Sequence, residues 1–336
     1  MTGVASHPFG MVLALLIAAV PQATPAGPHP TLTPLVDHHQ HLFSPQVAKL
    51  IRPDSSWGGI SAHDLVALLD SAGIGRAVVL SVAYTWGSPG RNVSDEYARV
   101  RAENDWTADQ VASAPRRLVG FCSVNPLKPY ALDEVERCAR NPWLRTGLKL
   151  HFGNSDVQLD ESADVEQLRR VFAAANRHHM AIVVHLRESI SRRRPYGARE
   201  ARVFLEQVVP AAPDVPIQIA HLAGSGPGYA DSAADSAMAE IARAVAEHRP
   251  GTDHLWFDVA SIANDVTPDV AATIVRRIRE VGVGHILYGS DSAISANRPS
   301  ESWAAFCRLP LTRSELEAIA HNVAPYLTAT HAGRSP

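Results

Sequence analysis

From Leu35 onward the chain repeats one local theme: a short run rich in Val, Ile and Leu, then a segment with helical spacing of its apolar residues. The runs fall at 35–39, 77–82, 117–124, 146–151, 181–185, 215–221, 255–259 and 285–289. Few of them alternate in polarity, so they read as strands buried on both faces of a parallel sheet. The helical segments between them, near 61–73, 94–114, 132–140, 164–178, 198–209, 236–248 and 268–281, are the crossovers such a sheet requires. Ser61 with Asp64 predicts a capping box at the start of the first, and Gly73 its stop. Eight strand–helix units in about 300 residues predict an α/β fold, a (β/α)8 TIM barrel, over an open doubly wound sheet. No glycine-rich phosphate loop is expected, because GSGPG at 224–228 contains Pro227 and lacks the GxGxxG spacing.

The segment before the first run is of another kind. Residues 11–20, MVLALLIAAV, are ten consecutive apolar residues, half of the about 20 that a bilayer span needs. They match the apolar middle of a secretory signal peptide, followed by small residues with cleavage points after Ala23 or Ala26. The flank before them, residues 1–10, carries no Lys or Arg. The expectation is a signal peptide over 1–26 and export to the periplasm or outside, with a cytoplasmic protein as the alternative. Residues 27–34 form a Pro-rich linker, and one barrel domain covers 35–330. Lys and Arg number 31 against 34 Asp and Glu, so no basic surface argues for nucleic acid. Cys122, Cys138 and Cys307 are too few and too scattered for a disulfide framework or a zinc knuckle, and read as buried small apolar residues.

Barrel enzymes carry their chemistry at the C-terminal ends of the strands. The first run ends in DHHQH, the fourth in Lys149 and His151, the fifth in His185, the sixth in His221, and Asp291 follows the eighth. His39 and His41 are two apart, so on an extended strand they share a side, about 6–7 Å from each other. A lone histidine at a strand end is more often a surface or core residue than a ligand. Histidines ending strands one, five and six, with an aspartate after strand eight, converge on one mouth, and that pattern predicts a metal site.

VDHHQHL, GLKLH, VVHL, IAHLAG and LYGSD, with ENDW at 103–106 and HNVAPYL at 321–327, resemble the amidohydrolase superfamily. The closer likeness is to its amidohydrolase-related branch of metal-dependent hydrolases and aminocarboxymuconate semialdehyde decarboxylase-like enzymes. The resemblance implies that His39, His41, His185 and Asp291 bind a metal, with His221 beside it as a proton-transfer or carbonyl-polarising residue. Nitrogen ligands plus one carboxylate suit Zn²⁺, which lowers the pKa of a water, while Asp291 relays its proton. In binuclear relatives a carboxylated lysine bridges two metals, and Lys149 stands in that place. GLKLH resembles the one-metal branch, so one metal is favoured, with Lys149 then a cation for the substrate or the barrel core.

Arg187, or one of Arg192, Arg193 and Arg194, is a candidate clamp for a substrate carboxylate, with His151 also assigned to substrate binding. Tyr84 and Trp86 offer an aromatic wall. The leading expectation is hydrolysis of a small amide, ester or lactone. The alternative is non-oxidative decarboxylation of an aromatic or unsaturated acid, and the remaining contender is a catalytically dead binding barrel. The expected partner is a small molecule, with no nucleic acid and no membrane span. The sequence leaves a homodimer open.

Overall fold

The computed structural model describes residues 32–295 and 298–328, so the expected signal peptide lies outside the described residues. Eight parallel strands run β1 (Val36–Gln40), β2 (Arg76–Leu80), β3 (Leu118–Ser123), β4 (Gly147–His151), β5 (Ala181–His185), β6 (Ile217–Ile219), β7 (Leu255–Asp258) and β8 (Ile286–Leu287). Each pairs with the next in chain order. Two further backbone bonds, His38 N to Tyr288 O (2.8 Å) and Asp291 N to His39 O (2.9 Å), tie β1 to the residues after β8 and bring the sheet round to near closure. With helices between the strands, this is the (β/α)8 barrel that the alternation predicts. No described helix is long and apolar enough to cross a membrane.

Local sequence explains the helices. Ser61 and Asp64 form the expected reciprocal capping box, and Gly73 ends that helix in the left-handed region. Thr267 caps Pro268–Val281, with Pro268 at the first turn, where its missing N–H costs nothing. The stretch expected to be helical to 209 is α-helical only over Ala198–Val203, then widens into a π turn over Phe204–Val208 before Pro210. Just before β1, Leu32 O accepts from Trp303 Nε1 (2.8 Å), which ties the entering chain to the helix Pro299–Phe306.

The strands carry two apolar faces. Leu148, Leu150, Ile182, Val184, Ile217, Ile219 and Phe257 pack outward among the helices in one continuous core. The alternate residues Val36, Val78, Leu80, Val119, Phe121, Ala181, Val183 and Leu287 form a second cluster, joined by Tyr326 and Leu327. Lys149 and Gln218 share register with Val183, so they belong to this inner face. The HNVAPYL segment thus supplies the plug of the barrel interior.

One expectation is corrected. Cys122 on β3 and Cys138 on the helix Ala131–Ala139 are joined by a disulfide, while Cys307 is free and half-buried. Three scattered cysteines do not make a framework, but a strand and its following helix can bring two of them together.

Candidate metal centre and active-site pocket

β1 carries a register shift against β2: Asp37 lies opposite Ala77 and Gln40 opposite Val79. Three steps on one strand against two on its neighbour make a bulge, which re-aims side chains. The buried His39 and His41 rings nevertheless converge, with centroids 5.2 Å apart. Gly289 allows the approach of the chain after β8, because a Cβ there would stand 2.7 Å from His39 Cβ. The backbone then turns left-handed at Asp291 (φ 50°) and brings its carboxylate to face His41, Oδ1 to Nε2 3.7 Å.

β6 stops at Ile219 rather than running on to His221, because the next residues are claimed elsewhere. His221, Leu222 and Ala223 take three successive left-handed conformations (φ 54°, 48° and 62°). Such conformations cost on the order of 1 kcal/mol each and persist only where the surroundings enforce them. Here His221 N donates to Asp258 Oδ1 (2.9 Å), and Nδ1 meets Ala260 O at 2.8 Å.

The hydrogen bonds fix the state of these rings. A carbonyl only accepts, so His41 Nδ1–H donates to Leu80 O (2.6 Å) and His221 Nδ1–H to Ala260 O. His39 Nδ1–H donates to the Asp258 carboxylate (2.9 Å). All three therefore present an Nε2 lone pair. Burial holds every one of them below the ordinary imidazole range, His221 down to about 3, so they are neutral and able to ligate. The ligand atoms of His39, His41 and Asp291 lie within 4.8 Å of one another, and Asp291 Oδ1 is buried with no hydrogen-bond partner among the described residues. Two nitrogen lone pairs and a bare carboxylate oxygen fit a divalent cation.

His185 stands outside this tight set. Its ring stacks on His151 at 3.9 Å and lies 5.2 Å from that of His221. Its buried Nδ1 lacks a partner among the described residues, which leaves it a donor atom in waiting. Lys149 is buried inside the barrel. Burial pushes it down to about 8, against the pull of Asp258 and Asp291, and burial likewise drives Asp291 above the carboxylate range, which Lys149 opposes.

Asp258 is a residue that the sequence reading missed. It takes His39 Nδ1–H, Gln218 Nε2–H (2.7 Å), His221 N–H and Ala260 N–H (3.1 Å). Burial opposes its ionisation, but the hydrogen bonds donated by His39 Nδ1–H and His221 N–H outweigh that and hold its carboxyl well below the ordinary carboxylate range. His39, His221 and Asp258 also cluster within 4.8 Å, yet with four donors spent on it the carboxylate is a brace that fixes the His39 tautomer. Tyr326 O–H donates to Gln218 Oε1 (2.6 Å), so a bonded chain runs from the plug to His39. The ENDW stretch is bracing too: Asn104 bridges Ser81, Ser123 and Glu134.

A pocket of about 550 Å³ opens over His185 and His151 and is lined by Phe43, Tyr84, Arg91 and Arg187, among others. His151 Nδ1 accepts from Asn154 N (3.2 Å), so its proton sits on Nε2. Of the expected carboxylate clamps, Arg187 is engaged by Asp231 (2.6 Å) and lies over the Tyr196 ring, and Arg194 is bidentate to Asp156 (2.9 and 2.8 Å). Trp86 is buried beside Arg99 and is absent from this pocket's wall. A larger cavity, about 710 Å³, lies at the opposite end of the strands beside Thr146, Pro216 and Tyr326, and none of His39, His41, His151, His185 and His221 lines it.

A cluster of neutral histidines and a bare carboxylate at the C-terminal mouth of a parallel barrel defines the class of barrel enzymes built around a metal-type centre. The family model described as Amidohydrolase matches residues 36–324, and the chain belongs to that family. None of the curated proteins matches it. Among solved structures it resembles 5-carboxyvanillate decarboxylase from Novosphingobium aromaticivorans, complexed with manganese and 4-hydroxy-3-methoxy-5-nitrobenzoic acid (13% identity, TM-score 0.57, covering 86% of this chain and 94% of that one). It also resembles a probable 2-pyrone-4,6-dicarboxylic acid hydrolase from Acinetobacter baumannii with citric acid bound (15%, 0.53, 85% and 96%). A third is an amidohydrolase from Burkholderia multivorans with bound zinc (13%, 0.54, 85% and 96%). At these identities the likeness shows the fold, and the neighbours include both decarboxylases and hydrolases.

Proposed function

We propose that the protein is an exported, metal-dependent hydrolase of a small amide, ester or lactone. The observation that carries this reading is the bare Asp291 Oδ1 facing the Nε2 of a neutral His41, with His39 beside them. One Zn²⁺ is proposed, held by His39, His41, Asp291 and His185, with Lys149 remaining a cation. When bound, the ion supplies Lewis acidity and a water that ionises near neutral pH. Asp291 takes the proton of the attacking water and hands it to the leaving group as the bond from the acyl carbon breaks. His221, with its proton on Nδ1, offers Nε2 as an acceptor, which suits a proton-transfer role over carbonyl polarisation. His151, protonated on Nε2, is a hydrogen-bond donor for the substrate. Export is supported by the Cys122–Cys138 disulfide, since such bonds persist in oxidising compartments.

Decarboxylation of an aromatic or unsaturated acid is the second reading. It draws on the resemblance to 5-carboxyvanillate decarboxylase, and on the stacked His151–His185 pair with Tyr84 5.1 Å from His151, which suits a flat substrate. Zinc-loaded protein is assayed on lactones, N-acyl amides and aromatic carboxylates, scoring acid release and CO₂. Acid release that disappears in His39→Ala is the expected result. CO₂ alone transfers the assignment to the second reading, and neither product refutes both.

A further inference from the structure

We propose that Arg91 anchors a substrate carboxylate at the rim of the pocket, so that the substrate carries an anionic group remote from the bond that is broken. The nature of that bond rests on the preceding reading; the binding claim stands on the pocket itself.

Three arginines line the pocket: Arg91, Arg187 and Arg192. Arg187 is neutralised by Asp231. Arg192 donates to Pro89 O (2.7 Å) and lies 3.6 Å from Asp156, which already holds Arg194. Arg91 is different. It is half-buried, and its guanidinium makes one long contact, Nη1 to Leu50 O at 3.4 Å, with no carboxylate partner among the described residues. The residues outside the described ones contain no Asp or Glu, so no acidic side chain is hidden there. The one acid in the pocket wall, Glu188, accepts from Leu159 N (3.2 Å), and burial pushes it up to about 8, so it brings no counter-charge at neutral pH. The pocket therefore holds an uncompensated cation. A partly desolvated guanidinium is completed by an anion, and its planar fork matches a carboxylate in bidentate fashion.

The sequence builds this position. Ser88-Pro89-Gly90-Arg91 is a β-turn closed by Arg91 N to Ser88 O (3.2 Å), with Gly90 at φ 83°. Proline second and a positive-φ glycine third are the residues that a type II turn demands, which fixes Arg91 as the fourth. Arg192, reaching from the loop after β5, grips the Pro89 carbonyl and joins that turn to the pocket's far wall. Arg91 is then the anchor and Arg192 a positioning residue.

The test is calorimetric binding of four probes to the full-length protein: isophthalate, glutarate and the monomethyl ester of each. Wild type should bind each diacid about 10-fold or more tightly than its monoester, which corresponds to about 1.4 kcal/mol. Arg91→Gln should erase that preference while leaving monoester affinity in place. Arg91→Lys should keep part of it, and Arg116→Gln, on the exposed surface, all of it. Equal binding of diacid and monoester by wild type, no binding of any probe, or equal weakening of both by Arg91→Gln overturns the proposal. A diacid preference in a protein that neither hydrolyses nor decarboxylates leaves the anchor standing and refutes the reaction. Turnover without the preference does the reverse.

Discussion

The barrel interior changes character along its own axis. At the floor, Val36, Val119, Phe121, Ala181 and Tyr326 form an apolar cluster, and the Tyr326 hydroxyl is satisfied by Gln218. At the mouth, residues of the same strands end in neutral histidines, a left-handed Asp291 and donor atoms without partners. The floor obeys the rules of a packed core. The mouth breaks them, with left-handed backbone and a buried Asp291 Oδ1 that has no hydrogen-bond partner among the described residues. What the difference teaches is where stability and chemistry were separated: one end holds the fold, the other holds atoms ready for a cation.

The contrast is sharpest in metal content. His39→Ala or Asp291→Asn should take bound metal from near one per chain to near none, and turnover down on the order of 10³-fold or more, with the fold retained. Elemental analysis beside circular dichroism checks it, and a variant that keeps its metal removes that residue from the ligand set. Phe121→Ala should do the opposite. It leaves a cavity in the floor and costs about 3–5 kcal/mol in denaturant melts, with metal per folded chain unchanged.

The disulfide tests whether the outer wall shares the floor's role. Closing a loop with a sequence separation of 16 residues, it should contribute about 3 kcal/mol, measurable as the stability lost in the double variant Cys122→Ala, Cys138→Ala. Glu103 tests whether the mouth's polar character reaches its outer rim. Its carboxylate accepts from Ser44 N (3.3 Å) and Ser44 Oγ, and burial pushes it up to about 7 despite those bonds. A raised carboxyl favours the folded state only while protonated. Stability should therefore fall as pH rises from about 4.5, the unfolded value, through about 7. Glu103→Gln should flatten that window by on the order of 1–2 kcal/mol, read as melting temperature against pH.

Much of this was legible in the sequence, and the exceptions have physical causes. His39 and His41 announce themselves because a strand's period of two survives even the bulge between Asp37 and Gln40. Asp258 does not, because Val259 extends the apolar run past the point where β7 ends and hides the carboxylate inside it. A search for acids at the last ladder position would have found it. The Cys122–Cys138 bond depends on the angle between a strand and its following helix, which spacing alone does not carry. Arg91 sits in a turn whose four residues are readable, but its want of a counter-charge emerges only once the other two arginines of the pocket wall, Arg187 and Arg192, are seen beside Asp231 and Asp156. The basic loop at 191–197 drew attention instead, and Arg192 and Arg194 there are partly or wholly occupied by Asp156.

Gln218 has a direction. Its oxygen takes the Tyr326 hydroxyl and its nitrogen gives to Asp258 and to His38 O, so the amide cannot be reversed without setting its oxygen against the Asp258 carboxylate and the His38 carbonyl. Asp258 in turn holds His39. One bonded chain thus joins the segment that plugs the barrel to the first residue of the metal-type centre, and any coupling along it acts with the same free energy in both directions.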